Sequence, residues 1–309
     1  VLALSLVAPA VVAQPRRAPP RRAPQRPPLR TAPAPLPPEA PEPPPPLVSR
    51  PLEPPPEAPP PPPPPPPPAP EAPLPNALDL AVSGRAFARE LSYSGPVSPA
   101  RPYVLDAAPS VRVDLAWHPA AHVTRGAATW FGLAGQYEIA LGLQSTDSAG
   151  ARYTTAAWSA MAGLRVRLPI DVAGLDLAAL VGWRMQSFQV RNDRGAAISA
   201  VPDLDVQALQ LGVAARIPLA TPLALTLDAA YLHGLDLGAM GQRFPGSSTA
   251  GVLATAGLAL RIVWKLELRA AFEMRLWAHT LGRPAGTVDA PRSAEDRYLG
   301  GTFGLAVRL

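Results

Sequence analysis

The stretch "KLELRAAFEMRLWAH", Lys265 to His279, decides the fold. Leu266, Leu268, Ala270, Phe272, Met274 and Leu276 occupy every second position. Between them stand Lys265, Glu267, Arg269, Ala271, Glu273 and Arg275. A two-residue period means strand, because successive side chains of a strand point to opposite faces. One face is therefore apolar without interruption, and the other carries charges of both signs. The fold depends on which of the two faces meets water.

The same period recurs along the chain. Val111, Val113, Leu115 and Trp117 share a face in "SVRVDLAW", as do Phe131 to Leu143 at odd positions in "FGLAGQYEIALGL". "WSAMAGLRVRL" sets Trp158, Leu164, Val166 and Leu168 against Arg165 and Arg167, and "LDLAALVGWRM" aligns Leu175, Leu177, Val181, Trp183 and Met185. "LQLGVAARI", "LALTLDAAY", "ATAGLALRIVW" and the closing "FGLAVRL" repeat the pattern. With a weaker segment at Leu78 to Phe87, about ten strands result (eight to twelve). Their connections alternate in length. Pro169–Ala173, Pro218–Pro222 and Val263–Lys265 are tight; Ser94–Pro109, Asn192–Pro202, Gly238–Ser248 and Thr280–Arg297 are long. An antiparallel meander with tight turns at one end and long loops at the other follows.

A soluble barrel turns its charge outward, whereas a transmembrane barrel presents an apolar band to lipid and keeps a polar lumen. The strands reach ten or more residues, enough to cross a tilted hydrocarbon layer. Their apolar face is free of charge over that length. The opposite face carries Gln136, Glu138, Arg165, Arg167, Asp176, Arg184, Gln210, Arg216, Asp228, Arg261, Glu267, Arg269, Glu273 and Arg275. Aromatic residues such as Trp117, Trp130, Tyr153, Trp158, Tyr231, Trp264 and Trp277 gather near strand ends, as an interfacial girdle requires. Long uncharged windows suited to membrane helices are missing. The fold expected is all-β: an antiparallel up-and-down transmembrane β-barrel over residues 76–309.

Composition constrains the remainder. Among 309 residues there is no cysteine, which excludes a disulfide framework and thiolate metal sites. The net charge of +5 is spread along the chain with no basic run interleaved with aromatics, so nucleic-acid binding is not expected. Residues 1–13, "VLALSLVAPAVVA", read as the remnant of a secretory signal peptide, with Val11-Val12-Ala13 before Gln14 as a cleavage site. Residues 14–75 are dominated by proline and favour a disordered or polyproline II linker. At ~3.1 Å per residue such an arm could reach roughly 190 Å. Its first half carries arginines and its second half glutamates, from Glu39 to Glu71.

The region from Asn76 to Leu309 resembles the bacterial outer-membrane β-barrel proteins. In that family a terminal aromatic residue, with apolar residues at alternate positions before it, is read by the assembly machinery. "YLGGTFGLAVRL" has the alternation but ends in Leu309 where Phe or Trp is usual. The resemblance implies a bacterial outer-membrane location. It also implies contact with outer-membrane lipid and the assembly machinery, and both termini in the periplasm. The proline-rich arm would then lie in the periplasm, where cell-wall polymer is a candidate partner.

No catalytic, cofactor-binding or metal-binding residue is assigned, and no cofactor is expected. Only four histidines exist. His118 and His122 have a spacing that would suit a metal on a helix, but Pro119 lies between them. His233 and Asp236 lie toward the long-loop side. Omptin-type outer-membrane proteases also use ten strands and place a histidine with acidic residues at the rim, yet no matching motif surrounds His233. His279 has no Ser or carboxylate partner nearby in sequence. Gly-x-Ser-x-Gly is absent. The function expected is structural or interactive, with a lumen plugged by salt bridges between neighbouring strands. The alternatives are a narrow pore for small solutes and a rim-active hydrolase. On the plug reading, removing Glu267 and Glu273 should open a conductance.

Overall fold

The computed structural model describes residues 76–95, 102–146, 152–170, 174–192, 194–197, 203–283 and 290–309. The expected signal segment and proline-rich arm lie outside the described residues. The strands are β1 (Leu78–Ser94), β2 (Tyr103–Trp117), β3 (Phe131–Ala140), β4 (Leu143–Thr146), β5 (Arg152–Leu168), β6 (Asp176–Asn192), β7 (Leu204–Ala220), β8 (Leu223–Asp236), β9 (Ser248–Val263), β10 (Leu266–Thr280) and β11 (Ser293–Arg308). One short helix, α1 (Gly238–Arg243), follows β8. No helix among the described residues is long and apolar enough to cross a membrane.

Every neighbouring pair is antiparallel, and the sheet closes on itself. β1 pairs with β11 from Asp79↔Arg308 to Ser94↔Ser293, while β3 and β4 both pair with β5 and form one interrupted stave. The eleven segments thus make a ten-stave barrel. Closure leaves no free edge in the sheet, the condition hydrocarbon imposes on backbone polar groups. The segment expected to be weakest, Leu78 to Phe87, is the start of a 17-residue strand. The expected long loop from Ser94 to Pro109 is shorter than expected, since β2 begins at Tyr103.

Across the tight-turn half, the outer surface is apolar. Phe272, Val213 and Phe303 are more than half exposed, on three different strands, and none of the described residues covers them. From Leu266 to Leu276 the outward residues of β10 span ten residue steps, roughly 25 Å of barrel height at a ~40° tilt. That matches a hydrocarbon layer.

Toward the long-loop end the chemistry of the two faces exchanges. On β6, outward Leu177, Val181, Trp183 and Met185 give way to outward Ser187, Gln189 and Arg191, while Phe188 and Val190 turn inward and are buried. On β7, Leu204, Val206 and Ala208 are buried and Asp205 and Gln207 lie between them. On β11, exposed Arg297 and Glu295 pair with each other on the outside. β6, β7 and β11 therefore carry two patterns in series: apolar outside below, and above it polar outside with an apolar core within. Phe87, Leu91, Phe188, Leu204, Leu232 and Trp277 belong to this core, which α1 closes by burying Met240 and the following Phe244.

Gly142, at φ 59°, breaks the stave between β3 and β4. The expected uniform face from Phe131 to Leu143 is thereby corrected. Ile139 and Leu141 are exposed, but Leu143 is buried in the upper core. A left-handed backbone at this point is one that glycine adopts without a Cβ clash.

Candidate functional site: the lumen

The lumen is filled in two chemically distinct layers. The lower one is ionic. Arg85 donates to Glu138 at 2.7 Å and to Glu273 at 2.9 Å, and Arg275 donates to Glu273 at 2.9 Å. Arg112 donates to both carboxylate oxygens of Asp114 at 2.9 Å and also reaches Glu273. Nearer the tight turns, Arg269 forms a two-bond fork with Asp79 at 2.8 Å and also bonds Glu267. Arg216 reaches Glu267 at 2.6 Å, and Arg308 reaches Asp176 at 2.7 Å. Glu138, Glu273, Arg85, Arg275 and Glu267 are all buried.

The expected inward residues do face the lumen, but two expectations need correction. Arg261 lies at the tight-turn mouth, exposed and outside the network, because β9 reaches its end there and the β9–β10 register shifts between Leu266 and Glu267. The ion pairs run only in part between neighbouring strands: Arg167 on β5 meets Asp176 on β6 and Arg89 on β1 meets Asp296 on β11, but most of the others lie along one strand or skip strands. Arg112 on β2 reaches Glu273 on β10, and Arg308 on β11 reaches Asp176 on β6. Neighbouring inward positions are often Ala, Gly, Ser or Thr. Long arginines accordingly cross the narrow lumen to find carboxylates.

The upper layer is the apolar core, and it holds one buried ion pair. Arg89 forks onto Asp296 at 2.8 and 2.9 Å, with its guanidinium 3.8 Å from the Phe188 ring centroid. The Tyr298 hydroxyl donates to the same carboxylate at 3.1 Å. Sequence reasoning missed this group. The available signal was Arg89 sharing parity with Phe87, Leu91 and Tyr93, a lone charge in an apolar row.

Among the residues of the ionic layer lies a cavity of about 260 Å³, lined by Arg112, Arg165, Arg184, Gln210 and Asp228 among others. Arg167, Asp176, Arg216 and Arg308 line both this cavity and a vestibule of about 1270 Å³ at the tight-turn mouth.

The histidines do not assemble into a site. His118 is buried against Gly132, where an added Cβ would meet its ring at 2.6 Å. Burial, with Arg167 and Arg165 nearby, pushes its pKa down to about 4, so it is neutral at physiological pH. His122 instead accepts from the Trp117 indole at 3.3 Å. His233 faces outward beside Tyr231, their ring centroids 6.5 Å apart, while Asp236 accepts from the Gly238 backbone N–H. His279 is buried in the lumen with neither ring nitrogen hydrogen-bonded. Among the described residues no group of three or more His, Asp or Glu side chains is placed to hold a metal.

No protein-family profile matches the sequence, and no curated protein does. Among solved structures, the chain is similar to the outer membrane protease OmpT from Escherichia coli, at 10% identity and a TM-score of 0.44, over 75% of this chain and 97% of that one. It is similar to Ail, the attachment invasion locus protein of Yersinia pestis, at 10% identity and a TM-score of 0.32, over 75% of this chain and 99% of that one. Neisserial surface protein A is similar at 11% identity and a TM-score of 0.31, over 74% of this chain and 97% of that one. The chain is a closed ten-stave antiparallel β-barrel with a belt of exposed apolar side chains, the architecture expected from its resemblance to bacterial outer-membrane barrels.

Proposed function

We infer that this protein is a closed outer-membrane barrel with a structural or interaction role, and not a conduit. The carrying observation is that the lumen is blocked twice in series, by a cross-lumen ionic layer and by an apolar core capped with α1. In this reading the tight-turn end, where Asn76 enters the barrel beside Leu309, faces the periplasm. The proline-rich arm, residues 14–75, then extends into the periplasm, with cell-wall polymer as the partner its composition fits. The upper barrel, polar outside and apolar within, stands clear of the membrane as a rigid pedestal for the long loops.

Outer-membrane fractionation combined with heat-modifiable gel mobility tests the location. Protease added to intact cells should spare the arm and cut it only after the outer membrane is permeabilised. Cleavage in intact cells would reverse the orientation. A barrel region that is folded and monodisperse in plain buffer would overturn the membrane reading itself.

A further inference from the structure

We propose that the lumenal cavity binds a small oxyanion, a phosphate, sulfate or carboxylate group entering from the tight-turn mouth, with Arg184 and Arg165 as its principal ligands. The first observation is an imbalance of charge. In the ionic layer, Arg85, Arg112 and Arg275 share Glu138, Glu273 and Asp114. Arg184 is a fourth arginine beside these three acids. It is 1% exposed, and among the described residues no carboxylate lies within ion-pairing distance of it. Its Nε and one Nη are held by the side-chain carbonyls of Gln210 at 2.7 Å and Gln136 at 2.9 Å. The other, Nη1, has no hydrogen-bond partner.

A buried guanidinium with neutral partners and an unused donor is costly, because a desolvated charge is stabilised chiefly by an opposite charge nearby. Native interiors seldom leave such a donor empty. The second observation is the space. Arg184 lines the 260 Å³ cavity together with Arg165, which has no ion-pair partner among the described residues and whose Nε is likewise without a hydrogen bond. The third is access. The vestibule is lined by Arg167, Arg216, Arg261 and Arg308, of which Arg216 pairs with Glu267 while Arg167 and Arg308 share Asp176, which leaves its lining basic toward the cavity. The upper core closes the far side, so an anion that enters is held and not passed on.

Four carboxylates line the same cavity and oppose an anion. Asp79, Asp114 and Asp176 are ion-paired with Arg269, Arg112 and Arg308, whereas Asp228 has no ion-pair partner among the described residues, and Arg165 is its foremost charge neighbour. The proposal therefore makes two opposite demands, and it does not depend on the interaction role inferred above. The full-length chain, folded in detergent, is titrated calorimetrically with inorganic phosphate, sulfate and acetate at ionic strength matched with sodium chloride. Saturable binding at one site is expected for at least one of these anions. Preference for acetate assigns a carboxylate ligand; preference for phosphate or sulfate assigns an inorganic or esterified one. Arg184→Gln should weaken binding about tenfold, the loss of one charge-assisted hydrogen bond. Asp228→Asn should tighten it, and Arg297→Gln, on the outer wall, should leave it unchanged. If Arg184→Gln fails to fold, Arg165→Gln and Asp228→Asn carry the test. Absence of saturable binding, or affinities the same in wild type, Arg165→Gln and Asp228→Asn, would overturn the proposal.

Discussion

Glu273→Gln keeps the shape of a side chain and removes the charge at the centre of the ionic layer. Glu273 is 1% exposed and accepts from Arg85, Arg112 and Arg275. At ~4 Å between charge centres and an effective dielectric of about 20, each attraction is worth roughly 4 kcal/mol, or about 12 kcal/mol for three. Burying the carboxylate offsets most of that sum. What remains after the substitution is three crowded arginines with only Glu138 and Asp114 to neutralise them. Deleting one partner of a buried pair costs about 3–5 kcal/mol, and three stranded partners put Glu273→Gln at the upper end of that range. The matched control is Glu295→Gln, which loses an exposed pair with Arg297 and should cost less than about 1 kcal/mol. Urea-induced unfolding in lipid bilayers measures both. Equal midpoints for the two variants would mean that the buried network contributes nothing beyond filling space, and would refute the reasoning.

The lipid belt and the upper core make their own demands. Phe272→Arg sets a charge against hydrocarbon on a side chain that is 55% exposed, at a cost of about 2–4 kcal/mol near the midplane. Ala271→Arg adds the same charge beside lumenal carboxylates and should cost less, so equal losses in the bilayer titration would mean the faces are misassigned. Trp277→Ala empties the upper core at a fully buried position and should cost about 3–5 kcal/mol, whereas a loss below about 1 kcal/mol would mean that the core is loosely packed.

Parity along a strand is written directly in sequence, so the barrel, its ten staves and almost all lumenal residues were legible there. The exchange of faces was not seen, because alternation persists through it. "WRMQSFQV" keeps a period of two while the apolar partner shifts by one, from Trp183 and Met185 outside to Phe188 and Val190 inside. The missed clue is that phase slip, together with polar Ser187 and Gln189 at outward parity. The pairing of Arg308 with Asp176 was beyond reach for a different reason. Sequence gives the side of a strand on which a residue lies, but not how far an arginine crosses a lumen. Arg184 was legible as an inward cation; that it would lack a carboxylate was not, since neutrality depends on which of several acids each arginine reaches.

On the closed-lumen proposal, two barriers in series would govern conduction, which changes what a charge-removal experiment should do. If the ionic layer alone closed the lumen, Glu267→Ala/Glu273→Ala would free its arginines and open a path. Above that layer, however, Phe87, Phe188, Leu204, Leu232 and Trp277 pack with at most 5% exposure, leaving an ion no water to cross with. Stripping an ion of its hydration in an apolar constriction costs far more than the loss of two carboxylates can return. The wild type and the double Glu variant should both stay silent in planar-bilayer recordings. Openings should appear only when Phe188→Ala and Trp277→Ala are added to the two Glu substitutions. Steady openings in the double Glu variant alone would show that the upper core is permeable to water, and would restore the pore reading.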